Sequence, residues 1–233
     1  MAKLQESSKR EQKELLVVPI IDTSESMSGE SITAVNKAMS ELPAQLADIE
    51  KSEDFDVLVA PIAFSNGAKW LGLLNGKPCK ASDFVWNDVE ATGGADMGSA
   101  FSLLNEKLTI IDKGGWIDGR KGLRPIILLI SNGKPTDEWL TPLNELRKRG
   151  WFKAALKFAF AVGADADKTA LEEFTQTEEN IYDIEILNHW LIALIRYILG
   201  ISPVSTADVE KNKAYQTDMF GDMNMFDETM DFD

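Results

Sequence analysis

The run Leu15-Leu16-Val17-Val18-Pro19-Ile20-Ile21 is apolar over a strand's length and stops abruptly at Asp22. A strand with no polar face predicts burial on both sides, the place of a central strand in a parallel sheet. Beyond a polar loop, Ile32, Val35, Met39, Leu42, Leu46 and Ile49 recur at spacings of three and four. That is one apolar face of a helix, and Pro43 inside it predicts a kink or break. Phe55 to Phe64 reads as the next strand, with Lys69 to Leu74 returning beside it as a hairpin through Asn66-Gly67. A helix is expected from about Met97 to Ile110, with Phe101, Leu104 and Leu108 facing inward. Pro125 to Ile130 is a second fully apolar strand, halted by Ser131-Asn132-Gly133. Thr136-Asp137 offers side-chain oxygens to cap a helix running to Arg149 and closed by Gly150. Lys157 to Gly163 is the fourth strong strand, Lys168 to Thr175 a short helix, Asn180 to Ile184 a weak last strand, and Ile186 to Leu199 the last long helix.

Strands and helices in regular alternation predict an α/β fold: a doubly wound, mostly parallel, Rossmann-like sheet with one antiparallel edge strand and helices on both faces. In such sheets ligands meet the carboxyl ends of the strands, which selects the loops Asp22 to Gly29, Thr92 to Gly98 and Ser131 to Asp137. The domain is expected over residues 14–204, after a polar segment 1–13. From Ser205 to Asp233 the helical pattern fails: eight acids and two lysines, a net of −6, are interleaved with Met and Phe. That composition reads as an acidic-hydrophobic, flexible or partner-binding tail.

Charge and cysteine content narrow the function. With 24 Lys+Arg against 38 Asp+Glu the net charge is −14, the wrong sign for nucleic acid or an anionic membrane and the right one for basic partners or cations. One cysteine, Cys79, allows neither an internal disulfide nor a thiolate zinc site. The polar start of the chain lacks a signal-peptide apolar region, and Trp190 to Ile201 is too short to span a bilayer, so a cytoplasmic protein is expected.

The chemistry concentrates in Asp22-Thr23-Ser24-Glu25-Ser26-Met27-Ser28-Gly29-Glu30. Alternate residues of an extended loop project to one side, so Asp22, Ser24 and Ser26 can converge above the sheet edge as a hard-oxygen set suited to Mg²⁺ or Mn²⁺. This loop resembles the Asp-x-Ser-x-Ser metal-ion-dependent adhesion site of von Willebrand factor A domains. The continuation Met27 to Ile32 into a helix containing Asn36 is similar to the tellurium-resistance Y-type branch of that superfamily. So are Gly93-Gly94-Ala95-Asp96-Met97-Gly98, Ser131-Asn132-Gly133-Lys134-Pro135-Thr136-Asp137 and the late Trp190. The likeness covers roughly residues 14–201.

Two departures stand out. The resemblance implies a Thr ligand where this chain has Ala95, and an Asp where it has Asn132. The expected metal set is therefore Asp22, Ser24, Ser26 and Asn132, with Asp96 as a substitute. A partner's Asp or Glu could complete the site, or the site could be vestigial. The resemblance further implies a non-enzymatic adaptor in a bacterial stress-resistance or phospho-signalling system, partnered with a serine/threonine kinase or a type 2C protein phosphatase. Glu25, Met27 and Trp139 near the loops, and Phe220 and Phe226 in the tail, are the expected contact residues, with self-association through the tail a further expectation. The alternatives are a Mg²⁺-dependent phosphohydrolase using Asp22 as nucleophile and a purely structural assembly subunit. The hydrolase reading lacks a second acid two residues on, where Ser24 stands. The one histidine, His189, has no nucleophile motif near it and reads as a surface or packing residue.

Overall fold

The computed structural model describes residues 12–52 and 55–198. Strand β1 (Lys13–Asp22) is the centre of the sheet, as its unbroken apolar run requires. Helix α1 (Glu30–Ser52) follows, then strands β2 (Phe55–Val59), β3 (Ile62–Ser65), β4 (Gly67–Trp70) and β5 (Cys79–Lys80). After helix α2 (Met97–Lys107) come strand β6 (Ile126–Ser131), helices α3 (Leu140–Leu146) and α4 (Gly150–Ala154), and strand β7 (Leu156–Ala161). Helix α5 (Lys168–Thr175), strand β8 (Ile181–Asp183) and helix α6 (Leu187–Ile198) complete the order.

The sheet runs β4-β3-β1-β6-β7-β8, with β2 beside the first half of β1 and β5 beyond β2. β1, β2, β3, β6, β7 and β8 are mutually parallel, while β4 and the short β5 pair antiparallel with β3 and β2. Two apolar layers flank the sheet. Val35, Met39, Leu42 and Leu46 of α1 and Leu191 and Ile195 of α6 pack with Leu15, Val17 and Ile21 on one face. Phe101 and Leu104 of α2, Leu143 of α3 and Phe174 of α5 pack with Leu16, Val18 and Ile20 on the other. Period-two alternation along β1 thus feeds both layers.

Several boundaries differ from those the sequence predicts. The Phe55 to Phe64 strand is interrupted at Ala60-Pro61, where proline has no N–H for the ladder. The register is kept across the gap, since Val17 pairs with Val59 and Ile20 with Ile62. The hairpin returns at Gly67 rather than Lys69, with Ser65 directly opposite Gly67. α1 passes through Pro43 without a break; Leu42 and Leu46, both fully buried, hold the helix against the sheet and offset the missing hydrogen bond. The helix expected up to Arg149 is α3, which stops at Leu146, and Gly150 opens a further short helix instead of closing it. The expected tail, with Phe220 and Phe226, lies outside the described residues. No helix among the described residues is long and apolar enough to cross a membrane.

Candidate functional site

Asp22 ends β1 and Ser131 ends β6, so the pairing of these two strands sets their side chains beside each other at the carboxyl rim. Asp22 is completely buried. Its Oδ2 accepts the Ser131 hydroxyl at 2.6 Å and its Oδ1 accepts the Ser24 backbone N–H at 2.9 Å. Burial pushes the Asp22 carboxyl above its usual range, and these hydrogen bonds pull it back only in part.

The loop beyond Asp22 is tied on both sides. Thr23 donates its N–H and its hydroxyl to the Phe64 carbonyl, at 2.8 and 2.9 Å, and the Glu25 N–H reaches the Gly93 carbonyl at 3.0 Å. Glu25, Ser26 and Met27 form a 3-10 turn. The Ser24 and Ser26 hydroxyls lie 2.9 Å apart. Asn132 closes the group, its Nδ2 donating to Ser26 Oγ at 2.9 Å and to the Ser26 carbonyl at 3.2 Å. The expected quartet Asp22, Ser24, Ser26 and Asn132 is thus brought together.

The orientation of the Asn132 amide follows from its neighbours. The Ser26 carbonyl can only accept, and the Lys134 N–H, 3.3 Å from Oδ1, can only donate. A flipped amide would set donor against donor and acceptor against acceptor. The amide nitrogen therefore faces the loop, where a metal ligand would present oxygen.

Asp96 does not join the group. Its Oδ2 accepts the Gly67 N–H at 2.7 Å and so pins the β3–β4 turn. Ala95 is buried, with its N–H on Thr136 Oγ1 at 2.8 Å and its carbonyl accepting the Thr136 N–H at 3.0 Å. A divalent cation needing six oxygens would find two hydroxyls, one carboxylate and, from Asn132, a nitrogen. Recruiting Asn132 Oδ1 means turning the amide over, at about 1 kcal/mol for each hydrogen bond lost. With the Asn132 amide so turned, the group presents one oxygen fewer than a divalent metal centre built on this quartet would use.

Other predicted residues take different places. Met27 is fully buried within the α1-side layer, so it anchors the loop from beneath and cannot be a contact residue. Glu25 is exposed. Trp139 is half-buried at the start of α3 and packs on the α2-side layer. Thr136 and Asp137 do not cap the helix that follows them. Thr136 clamps the second loop through Ala95, and Asp137 accepts the Ser99 N–H at 3.3 Å in the first turn of α2. Burial pushes the Asp137 carboxyl up.

Three residues that the sequence marks only as part of the resemblance, with no role assigned, support the site. Ser131 was visible only as a loop residue, although a hydroxyl at the end of a strand adjacent to Asp22 is the signal. Asn36 reads from α1 to the opposite loop, donating to the Val89 carbonyl at 2.9 Å and accepting the Val89 N–H at 3.0 Å. Gly133 has φ 72° and leaves no space for a side chain, because a Cβ there would lie 1.7 Å from the Asp167 carbonyl oxygen. Only glycine fits that approach.

A doubly wound sheet with three linked loops at its carboxyl rim and a serine-rich loop after the central strand defines a class of α/β binding domain. The chain belongs to the von Willebrand factor type A domain family, whose model matches residues 17–188. A search of curated proteins returned no match. Among solved structures, proximal thread matrix protein 1 from the mussel byssus, with its MIDAS motif (the metal-ion-dependent adhesion site) occupied by zinc, is 17% identical with a TM-score of 0.54. The match covers 79% of this chain and 47% of that one. The pilus adhesin SpaC from Lactobacillus rhamnosus GG, in its open conformation, is 13% identical with a TM-score of 0.57, over 80% of this chain and 30% of that one. A von Willebrand factor type A protein from Catenulispora acidiphila is 16% identical with a TM-score of 0.53, over 78% and 42%. This chain thus spans less than half the length of these structures, and the likeness is one of fold.

Proposed function

We propose that the protein is a non-enzymatic protein-binding module that recognises a basic surface on its partner through the carboxyl rim, without a divalent cation. The observation that carries this reading is the Asn132 amide, whose nitrogen bridges Ser26 where a ligand oxygen would be needed. The rim is preorganised by hydrogen bonds alone. Around it Glu25, Asp88, Glu90, Glu138 and Asp167 are exposed, while Lys134 is paired with Asp165 at 2.7 Å. Such a field steers basic partners. Glu25 and Ser26 stand at the surface above the buried Asp22, and Trp139 supplies a half-buried aromatic edge of the kind that anchors interfaces.

The phosphohydrolase alternative is disfavoured by Asp22 itself. A nucleophile must reach substrate, and this carboxylate has no exposed surface and both oxygens bonded. The similarity to the tellurium-resistance Y-type branch supports a cytoplasmic adaptor in a bacterial stress or phospho-signalling system, with a serine/threonine kinase or type 2C phosphatase as partner class. The relative with zinc in its MIDAS motif supports the competing reading, in which Mg²⁺ or Mn²⁺ is gripped jointly by the rim and a partner's carboxylate.

Affinity capture with the tagged full chain separates the two. The expected result is a partner retained in EDTA, lost when Glu25→Arg and Ser26→Arg are combined, and unaffected by Lys51→Glu, a charge reversal at the end of α1. Capture that requires added Mg²⁺, or that ignores the rim substitutions, would overturn the proposal.

A further inference from the structure

Away from the carboxyl rim, one stretch of the chain is locally basic. Between Leu146 and Val162 the chain carries Arg147, Lys148, Arg149, Lys153 and Lys157 and no acid, within a protein of net charge −14. This segment runs from the end of α3 through α4 into the start of β7, so its cations collect where β6 and β7 begin, beside Arg124. The Lys157 ammonium donates to the carbonyls of Phe152 and Ala155, each at 3.0 Å, and Arg124 Nε donates to the Ala154 carbonyl at 2.6 Å. Arg147 and Lys148 have carboxylate partners, Glu173 at 3.0 Å and Glu145 at 2.6 Å. Among the described residues, Arg124, Lys157 and Arg149 are bonded to carbonyl or amide oxygens and to no carboxylate. Burial and the repulsion of Arg124 and Arg147 push Lys157 down to about 8. The group is electrostatically incomplete and would be relieved by an arriving anion.

The described chain ends with α6 on the α1-side layer, while α4 packs on the other. β8 runs parallel to β7, and Asp183 pairs with Ala161 at the carboxyl rim. α6 then leads back along the sheet, as a helix following a parallel strand does, and its 12 residues cover about 18 Å. The connector 199–205 is followed by residues 206–233, with eight acids and two lysines. The carboxyl rim, with its exposed acids, repels such a segment.

The geometry points to the basic end around Arg124, Arg149, Lys153 and Lys157 as the docking surface for the chain's own acidic segment 206–233, held in cis. Charge-assisted bonds from Asp and Glu to these cations supply the attraction. Because the segment belongs to the same chain, its encounter with the cluster is intramolecular, so individually weak contacts suffice. Docking there leaves the rim free for its partner, so the inference stands whether or not the rim reading holds.

Zero-length carbodiimide coupling of the full chain, which joins amines only to carboxylates in contact with them, reads this directly after peptide mapping. Amides are expected between tail acids and Lys148 or Lys153, at yields independent of protein concentration. They should fall at least about threefold in 0.5 M salt, where exposed attractions are screened. Lys153→Glu should lower the Lys148 adducts to a similar extent, while the Lys134–Asp165 crosslink at the rim persists as the sign of an intact fold. Tail adducts found chiefly on Lys134 or Lys168, adducts that appear only between two copies, or none despite a normal Lys134–Asp165 yield would each overturn the proposal. So would salt-sensitive binding of the basic end to anionic vesicles or RNA with the tail left unattached.

Discussion

Where β1 and β6 end, one buried carboxylate is surrounded by donors from two segments, Ser24 on one and Ser131 on the other, with Asn132 linked through the serines. Where β6 and β7 begin, the buried charge is a lysine whose partners are carbonyl oxygens and whose charged neighbours repel it. Both groups carry a desolvation cost; donors within the domain offset the first in part, whereas the charged neighbours of the second add to its cost. Hydrogen bonds from neutral donors hold a charge in place without attracting further ions, whereas an uncompensated cation cluster keeps a field that reaches outward. The difference separates a carboxylate held by the loops around it from a lysine held only by carbonyls among other cations.

The largest effect is expected from Asp22→Ala. It leaves the Ser24 N–H and the Ser131 hydroxyl without an acceptor, each orphaned in a buried setting, while removing a desolvated charge. The net cost is about 2–4 kcal/mol, read as a loss in urea-unfolding free energy. Asn132→Asp comes next: it replaces the donor to Ser26 with a second carboxylate at the same rim. Without divalent cations the variant should lose about 1–3 kcal/mol, and millimolar Mg²⁺ or Mn²⁺ should restore part of that loss.

The opposite end responds to pH. The folded-state value of Lys157, about 8, lies below the ordinary lysine value of 10.5, so between them the unfolded chain holds a proton that the folded chain has released. Stability contributed by this group therefore rises as pH increases from about 8 to 10.5. Chemical denaturation in 0.5 M salt should show that rise, and Lys157→Met should flatten it. A parallel pH dependence in both proteins would assign the slope elsewhere.

The central strands were readable because a run such as Leu15 to Ile21 has no polar face to hide, and Asp22, Ser24 and Ser26 followed from alternation in the loop after it. The direction of the Asn132 amide was not readable, since it depends on the Ser26 carbonyl and the Lys134 N–H meeting it from separate segments. Met27 looked like a loop residue because nothing local indicates that the 3-10 turn folds it inward. The break at Pro61 was legible in principle, but the apolar run hid it. Asp137 looked like a cap for α3 because sequence shows the nearest helix, while the fold supplies a nearer first turn in α2.

The Asn132 amide nitrogen closes the rim at the place a cation would take. The thermal midpoint of the wild-type chain, measured in EDTA and again across a millimolar titration of Mg²⁺, Mn²⁺ and Zn²⁺, tests this directly. The predicted result is a midpoint that does not move with any of the three. A midpoint that climbs and saturates with a divalent ion, and stops doing so in Ser26→Ala, would contradict it.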